Sequence, residues 1–222
     1  MGLYRTLPLA WGAWFSVVPK GALLLNFIYL LPEEGGASLF LWYVFGVFSL
    51  LGGYAAAWAA STPTEMLFWG TFAQAGYMVL ASVYGGEESA AAFWLVYGWA
   101  SLLSFLYVDR PWRGRLGDSV GLLLLSNLAA LPPVLGFWVK VGLFWVGLRH
   151  LPPGVREMVV GAAALATLAG FAVYGKLLWR IWDQPGEPVP FWRRVVYGVG
   201  TVGLLGLGFW GLAGLQSLKR FL

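Results

Sequence analysis

The chain has 222 residues, of which 59% are hydrophobic and 11% are charged. Soluble domains typically carry about 25% charged residues, so this composition excludes a disordered chain, a nucleic-acid-binding module and an ordinary soluble enzyme. There is no cysteine and one histidine, His150, which excludes disulfides, Fe–S ligation and haem or zinc binding by this chain. A mean hydropathy of +0.73 instead indicates a polytopic membrane protein.

Seven apolar stretches are long enough to cross a bilayer, which takes about 20 helical residues. In chain order they are 7–31, 38–60, 65–84, 90–108, 119–148, 157–180 and 191–215. The stretches lack the alternation of apolar and polar residues that barrel strands show, so we expect an all-α fold. They leave too few residues for a soluble domain, and we therefore expect one transmembrane domain over 1–222.

Turn and helix-start residues separate these stretches. In chain order they are Pro32 to Gly36, Ser61 to Glu65, Gly85 to Glu88, Asp109 to Pro111 and Pro152 to Gly154. The first stretch follows a lone basic residue, Arg5, and contains no small-residue cleavage site. We therefore expect no signal or transit peptide.

The basic residues favour one orientation in the membrane. With seven spans, the N-terminal side collects eight of them: Arg5, Arg110, Arg113, Arg115, Lys176, Arg180, Arg193 and Arg194. The opposite side collects four: Arg149, Arg156, Lys219 and Arg220. Because cytoplasmic and matrix loops are enriched in Lys and Arg, this bias places the N-terminus in the cytoplasm or matrix.

Two lysines fall inside the apolar stretches. Lys20 lies near the middle of the first and Lys140 in the second half of the fifth, whereas all 10 carboxylates lie in connections or at span ends. A charge at that depth costs about 3 kcal/mol on insertion scales. One interpretation is snorkelling, which works only near helix ends. The other is that each amine takes up and releases a proton, since burial destabilises its charged form.

Both lysines lie beside helix-breaking prolines. Pro19 directly precedes Lys20, and Pro132-Pro133 interrupts the fifth stretch ahead of Lys140. As one straight helix that stretch would be about 45 Å long, against a hydrocarbon core of about 30 Å. Broken helices that free backbone carbonyls are common at ion sites in transporters. We therefore predict a broken helix at Pro132-Pro133.

The third stretch carries a polar face formed by Thr71, Gln74 and Tyr77 at three-residue spacing. Such residues either tie helices together or extend a polar path. We assign Gln74 to a proton path with Lys20 and Lys140, and no residue to a metal or cofactor. The other polar residues inside the stretches are Asn26, Ser101, Ser104, Ser126 and Asn127.

The sequence contains three motifs, in this order: Ser16 to Ala22, Ala73 to Tyr77 and Leu131 to Lys140. They resemble the second half of the antiporter-like subunits of respiratory complex I, most closely chain 2, called subunit N in bacteria. The resemblance implies the last seven helices of a fourteen-helix fold. It implies that Lys20 is the central-axis lysine and Lys140 the terminal lysine of the broken helix. Gln74 stands where many relatives carry histidine.

The resemblance also implies function and location. It implies proton translocation coupled to NADH oxidation by ubiquinone, with flavin, Fe–S clusters and ubiquinone held by partner subunits. It further implies other membrane-arm subunits as partners, and either a separate chain that supplies the missing first half or a reduced subunit. We expect a multi-pass position in a mitochondrial inner membrane, with a bacterial plasma membrane as the alternative. Two alternatives stay open: a fragment of a multisubunit cation/proton antiporter, and a structural relic without a proton path.

Overall fold

The computed structural model describes Val18 and residues 37–184 and 188–218. Lys20 and nearly all of the predicted first span lie outside this part. Every element within it is an α helix, as predicted. The helices are α1 (Ala37–Ala59), α2 (Pro63–Asp109), α3 (Arg115–Ala129), α4 (Leu135–His150), α5 (Val155–Trp182) and α6 (Phe191–Leu218).

Helix α2 contains two of the predicted spans and folds back on itself. It has 47 residues and would be about 70 Å long if straight, which is more than twice the thickness of a bilayer core. The rings of Tyr77 and Phe93 are nevertheless stacked with centroids 5.6 Å apart, although 16 helical positions would separate them by about 24 Å. Both residues are equally far along the chain from Gly85, where the sequence predicts a connection. The chain therefore reverses there while its backbone stays helical.

The predicted fifth span is divided between α3 and α4. Helix α3 has 15 residues and α4 has 16, so each would be about 23 Å long, less than the core thickness. Ala130, after α3, has a left-handed backbone with φ of 64°, and the Pro132-Pro133 peptide bond is cis. The predicted break is thus confirmed in position.

Four stretches of the described helices are long and apolar enough to cross a membrane. They are Leu39–Ala59, Pro63–Tyr84, Ser89–Asp109 and Val155–Trp182. These agree with the predicted spans 38–60, 65–84, 90–108 and 157–180 to within two residues at each end. Helix α6 begins where the predicted seventh span does and runs three residues beyond its end. The chain is a multi-pass membrane protein.

Small residues bring α1 and the first half of α2 close together. A Cβ on Gly53 would lie 2.6 Å from the backbone nitrogen of Ala73, and a Cβ on Gly76 would lie 2.6 Å from the carbonyl oxygen of Gly46. Neither position has room for a side chain. This contact fixes the half of α2 that carries Gln74 and Tyr77.

Most of the basic residues lie at one end of the helices. Arg180, near the end of α5, donates to the carbonyl of Ser61 at 2.7 Å. Arg113 donates to the carbonyl of Trp182 at 2.8 Å. These contacts place the α1–α2, α2–α3 and α5–α6 connections together. The described basic residues that the sequence assigns to this side are Arg110, Arg113, Arg115, Lys176, Arg180, Arg193 and Arg194, and those it assigns to the other are Arg149 and Arg156.

Candidate functional site around Lys140

Lys140 lies in the interior of the helix bundle. It is in the second turn of α4, and only 2% of its surface is exposed. Its Nζ has no hydrogen-bond partner within the described part of the chain. A side chain buried in this way cannot snorkel to the membrane surface.

Two tyrosine rings from the two arms of α2 contact the Lys140 amine. Its Nζ lies 4.3 Å from the centroid of the Tyr77 ring and 5.4 Å from that of the Tyr97 ring. Between them is Phe93, which stacks on Tyr97 at 4.2 Å. Aromatic faces attract a cation through the ring quadrupole, and desolvated pairs contribute about 2 kcal/mol. Within the described part of the chain, aromatic rings and not a carboxylate therefore stabilise the protonated amine.

Hydrogen bonds hold both tyrosine rings in place. The Tyr77 hydroxyl donates to the carbonyl of Ala163 at 2.8 Å and lies 2.6 Å from the hydroxyl of Thr167. The Tyr97 hydroxyl donates to the carbonyl of Gly136 at 2.9 Å. The surface that faces the amine thus depends on α5 and on the first turn of α4 as well as on α2.

Gln74 contacts the broken end of α3. Its Nε2 donates to the carbonyl of Leu128 at 3.1 Å and to the hydroxyl of Tyr54 at 3.0 Å. In an unbroken helix the Leu128 carbonyl would accept from residue 132, which is a proline and has no N–H. The Gln74 amide therefore occupies the place of the missing donor.

Asn127 joins the two halves of the broken helix. Its Oδ1 accepts a hydrogen bond from the backbone N–H of Gly136 at 2.9 Å. This N–H is in the first turn of α4 and has no partner within the helix. Asn127 is fully buried, so the bond closes a gap in the protein interior.

The structure places both Lys140 and Gln74 near Tyr77. Gln74 precedes Tyr77 by three positions on α2, and Lys140 lies over the Tyr77 ring. The predicted polar face is buried as a unit, since Thr71, Gln74 and Tyr77 are at most 3% exposed. Lys20, the third residue assigned to a proton path, lies outside the described residues.

Sequence reasoning missed two contributors to this site. Tyr97 was not predicted because it reaches Lys140 only through the reversal of α2. Asn127 was noted as a polar residue without a role, although an amide five positions before a double proline is a signal for a helix-end partner. His150, the single histidine of the chain, is exposed. No group of three or more metal-ligand side chains occurs among the residues that the structure describes.

Comparison with known proteins gives a consistent set of relatives, although no protein-family model matches the chain. NADH-quinone oxidoreductase subunit N of Geotalea uraniireducens is 29% identical over 210 residues, covering 82% of this chain and 44% of that protein. Subunit 14 of the Thermus thermophilus enzyme is 29% identical over 178 residues, covering 72% and 41%. This chain is similar to one subunit of complex I. The resemblance seen in the motifs is confirmed.

A solved structure gives the same result. A chain in respiratory complex I from Thermus thermophilus with bound aureothin aligns with a TM-score of 0.67 and 27% identity. The alignment covers 79% of this chain and 44% of that complex I chain. The chain thus spans less than half the length of the complex I subunits named here.

Proposed function

We propose that this chain works in the membrane arm of a respiratory complex I and that Lys140 carries protons across the membrane there. NADH oxidation by quinone, in other subunits, would supply the energy. The observation that carries the proposal is a buried amine that no hydrogen-bonding group of the described residues reaches, held over two tyrosine rings beside a broken helix. The complex I relatives support the same assignment.

The energetics of the site suit a group that changes protonation. Removing an ion from water costs several kcal/mol even after relaxation, and a cation–π contact returns only about 2 kcal/mol. A neutral amine would avoid the cost of removing an ion from water, but it would also lose the cation–π stabilisation. In water at pH 7 the charged form of a lysine is favoured by about 4.6 kcal/mol. The net cost of burial is of similar size, so neither form is overwhelmingly favoured at this site. Transfer of one charge through ~150 mV requires about 3.5 kcal/mol, which is comparable to these contributions.

The other assigned residues have distinct roles in this proposal. An amide cannot carry a proton, so Gln74 would act through the hydrogen bonds that it makes. Lys20 would be a second proton carrier. A separate chain would supply the first half of the fold, with a buried glutamate and lysine, while partner subunits would hold flavin, Fe–S clusters and ubiquinone.

The basic end of the bundle would face the cytoplasm or matrix. The relatives named above are bacterial, which favours a bacterial plasma membrane. A mitochondrial inner membrane stays a prediction from the sequence. In either case α1 begins on the side opposite to the basic end.

Purification in mild detergent followed by mass spectrometry tests the proposed assembly. We expect the chain to copurify with flavin- and Fe–S-containing subunits that oxidise NADH, and with a hydrophobic chain that supplies the missing helices. Recovery as a homo-oligomer that exchanges cations for protons would support the antiporter alternative instead. Recovery in an active complex whose proton pumping survives loss of Lys140 would support the structural relic.

A further inference from the structure

The two halves of the broken helix end in backbone groups that the helix itself cannot satisfy. The Leu128 carbonyl faces a position where Pro132 offers no N–H, and the Gly136 N–H lies in the first turn of α4. Both groups lie in the protein interior, where an unpaired amide or carbonyl is costly. The break therefore needs a donor on one side and an acceptor on the other.

Two neutral side chains supply these groups. The Gln74 Nε2 donates to the Leu128 carbonyl at 3.1 Å, and the Asn127 Oδ1 accepts from the Gly136 N–H at 2.9 Å. One end of α3 is thereby attached to α2, and the start of α4 is attached to α3. We refer to Gln74 and Asn127 as the break clamp.

The clamp has a geometric consequence for Lys140. Gly136 precedes Lys140 by four positions, so the two residues lie on one face of α4, one turn apart. A Cβ on Gly136 would lie 2.2 Å from the carbonyl oxygen of Asn127, which shows how tightly the two halves approach. Any widening of the break would displace the start of α4 and move the amine relative to the Tyr77 ring.

We propose that Gln74 and Asn127 are positioning residues that set the width of the break and hold Lys140 over its tyrosine rings. Gln74 acts here as the donor that Pro132 lacks, not as a link in a chain of proton carriers. This inference rests on the proposed function of Lys140 for its effect on proton pumping. The effect of Gln74 and Asn127 on the backbone at the break is independent of that function.

Substitutions at the two positions separate the clamp from general packing. Gln74→Leu removes the donor and Asn127→Leu removes the acceptor at similar volume. Gln74→His retains an N–H donor, and Asn127→Asp retains an oxygen acceptor. Gln184→Leu provides a matched control, because Gln184 is exposed in the α5–α6 connection. Should Gln74→Leu prevent assembly, Gln74→Asn keeps the amide on a shorter side chain and tests the same bond.

Hydrogen–deuterium exchange of the intact complex gives the first measurement. Loss of one buried hydrogen bond should raise the exchange of the amides of residues 131 and 134–136 about tenfold in both leucine variants. Gln74→Asn should give a smaller rise, while Gln74→His and Gln184→Leu should match the parent. Unchanged exchange in both leucine variants would overturn the clamp.

The proton-to-electron ratio gives the second measurement. It should fall in Gln74→Leu and Asn127→Leu and recover in Gln74→His. A ratio as low in Gln74→His as in Gln74→Leu would overturn the positioning role, since the donor is present in both the parent and the histidine variant. Failure of the proposed function is distinguishable, because Lys140→Leu would then leave the ratio unchanged while exchange still reported on the break.

Discussion

The amine of Lys140 lies 4.3 Å from the centre of the Tyr77 ring, and this pair joins α4 to the polar face of α2. The contact places a cation against an aromatic face in the bundle interior, where no hydrogen-bonding partner from the described chain reaches it. The ring stabilises the charged amine less than a carboxylate would, and so leaves deprotonation possible.

The Tyr77 ring can be tested separately from its hydroxyl. Tyr77→Phe keeps the ring and removes the bond to the Ala163 carbonyl, so we expect a stability loss of about 1 kcal/mol and retained proton pumping. Tyr77→Leu removes the ring, so we expect lower pumping as well. Proton uptake by membrane vesicles, measured against NADH oxidation, distinguishes the two. Equal pumping in both variants would show that the ring is dispensable.

The packing of α1 on α2 gives a prediction with an adjacent control. Gly53→Ala would bring a Cβ within 2.6 Å of the Ala73 backbone, so we expect a loss of roughly 1–3 kcal/mol from overpacking. Gly52→Ala meets no atom within 4 Å and should be neutral or slightly stabilising because alanine favours helices. Thermal dissociation of the purified complex measures both. Similar behaviour of the two variants would contradict the close approach of the helices.

The topology predicts opposite exposure for two connections. Gln184 lies at the basic end, whereas Pro153 lies between α4 and α5, and both are exposed. The chain has no cysteine, so Gln184→Cys and Pro153→Cys each introduce a single thiol without changing the charge. We expect an impermeant maleimide to label position 184 only from the cytoplasmic or matrix side and position 153 only from the other. Labelling of both from one side would refute the arrangement of spans.

The helices and the break could be predicted because their causes are local. A run of about 20 apolar residues has to span the bilayer, and consecutive prolines cannot continue a helix wherever they occur. The sequence also predicts that Lys140 needs an interior position, since an exposed charge in lipid is costly.

The contacts at the site could not be predicted because they depend on tertiary structure. Tyr97 meets Lys140 only after α2 reverses near Gly85, and the Gln74 amide meets the Leu128 carbonyl 54 positions later in the chain. Nothing in the spacing of Thr71, Gln74 and Tyr77 specifies which helix their face packs against. The sequence therefore marked Gln74 as polar and buried but gave no reason to expect it at the break.

Substitution of Lys140 tests the proposed function most directly, through the number of protons translocated per electron during NADH oxidation. Lys140→Leu removes the amine, and Lys140→Arg keeps a charge that cannot be released. Lys176→Leu is the control, because Lys176 is a half-buried lysine outside the site, whose amine donates to the Trp58 carbonyl. The account predicts a lower ratio in both Lys140 variants and an unchanged ratio in the control. An unchanged ratio in Lys140→Leu would contradict it and show that the buried lysine is structural.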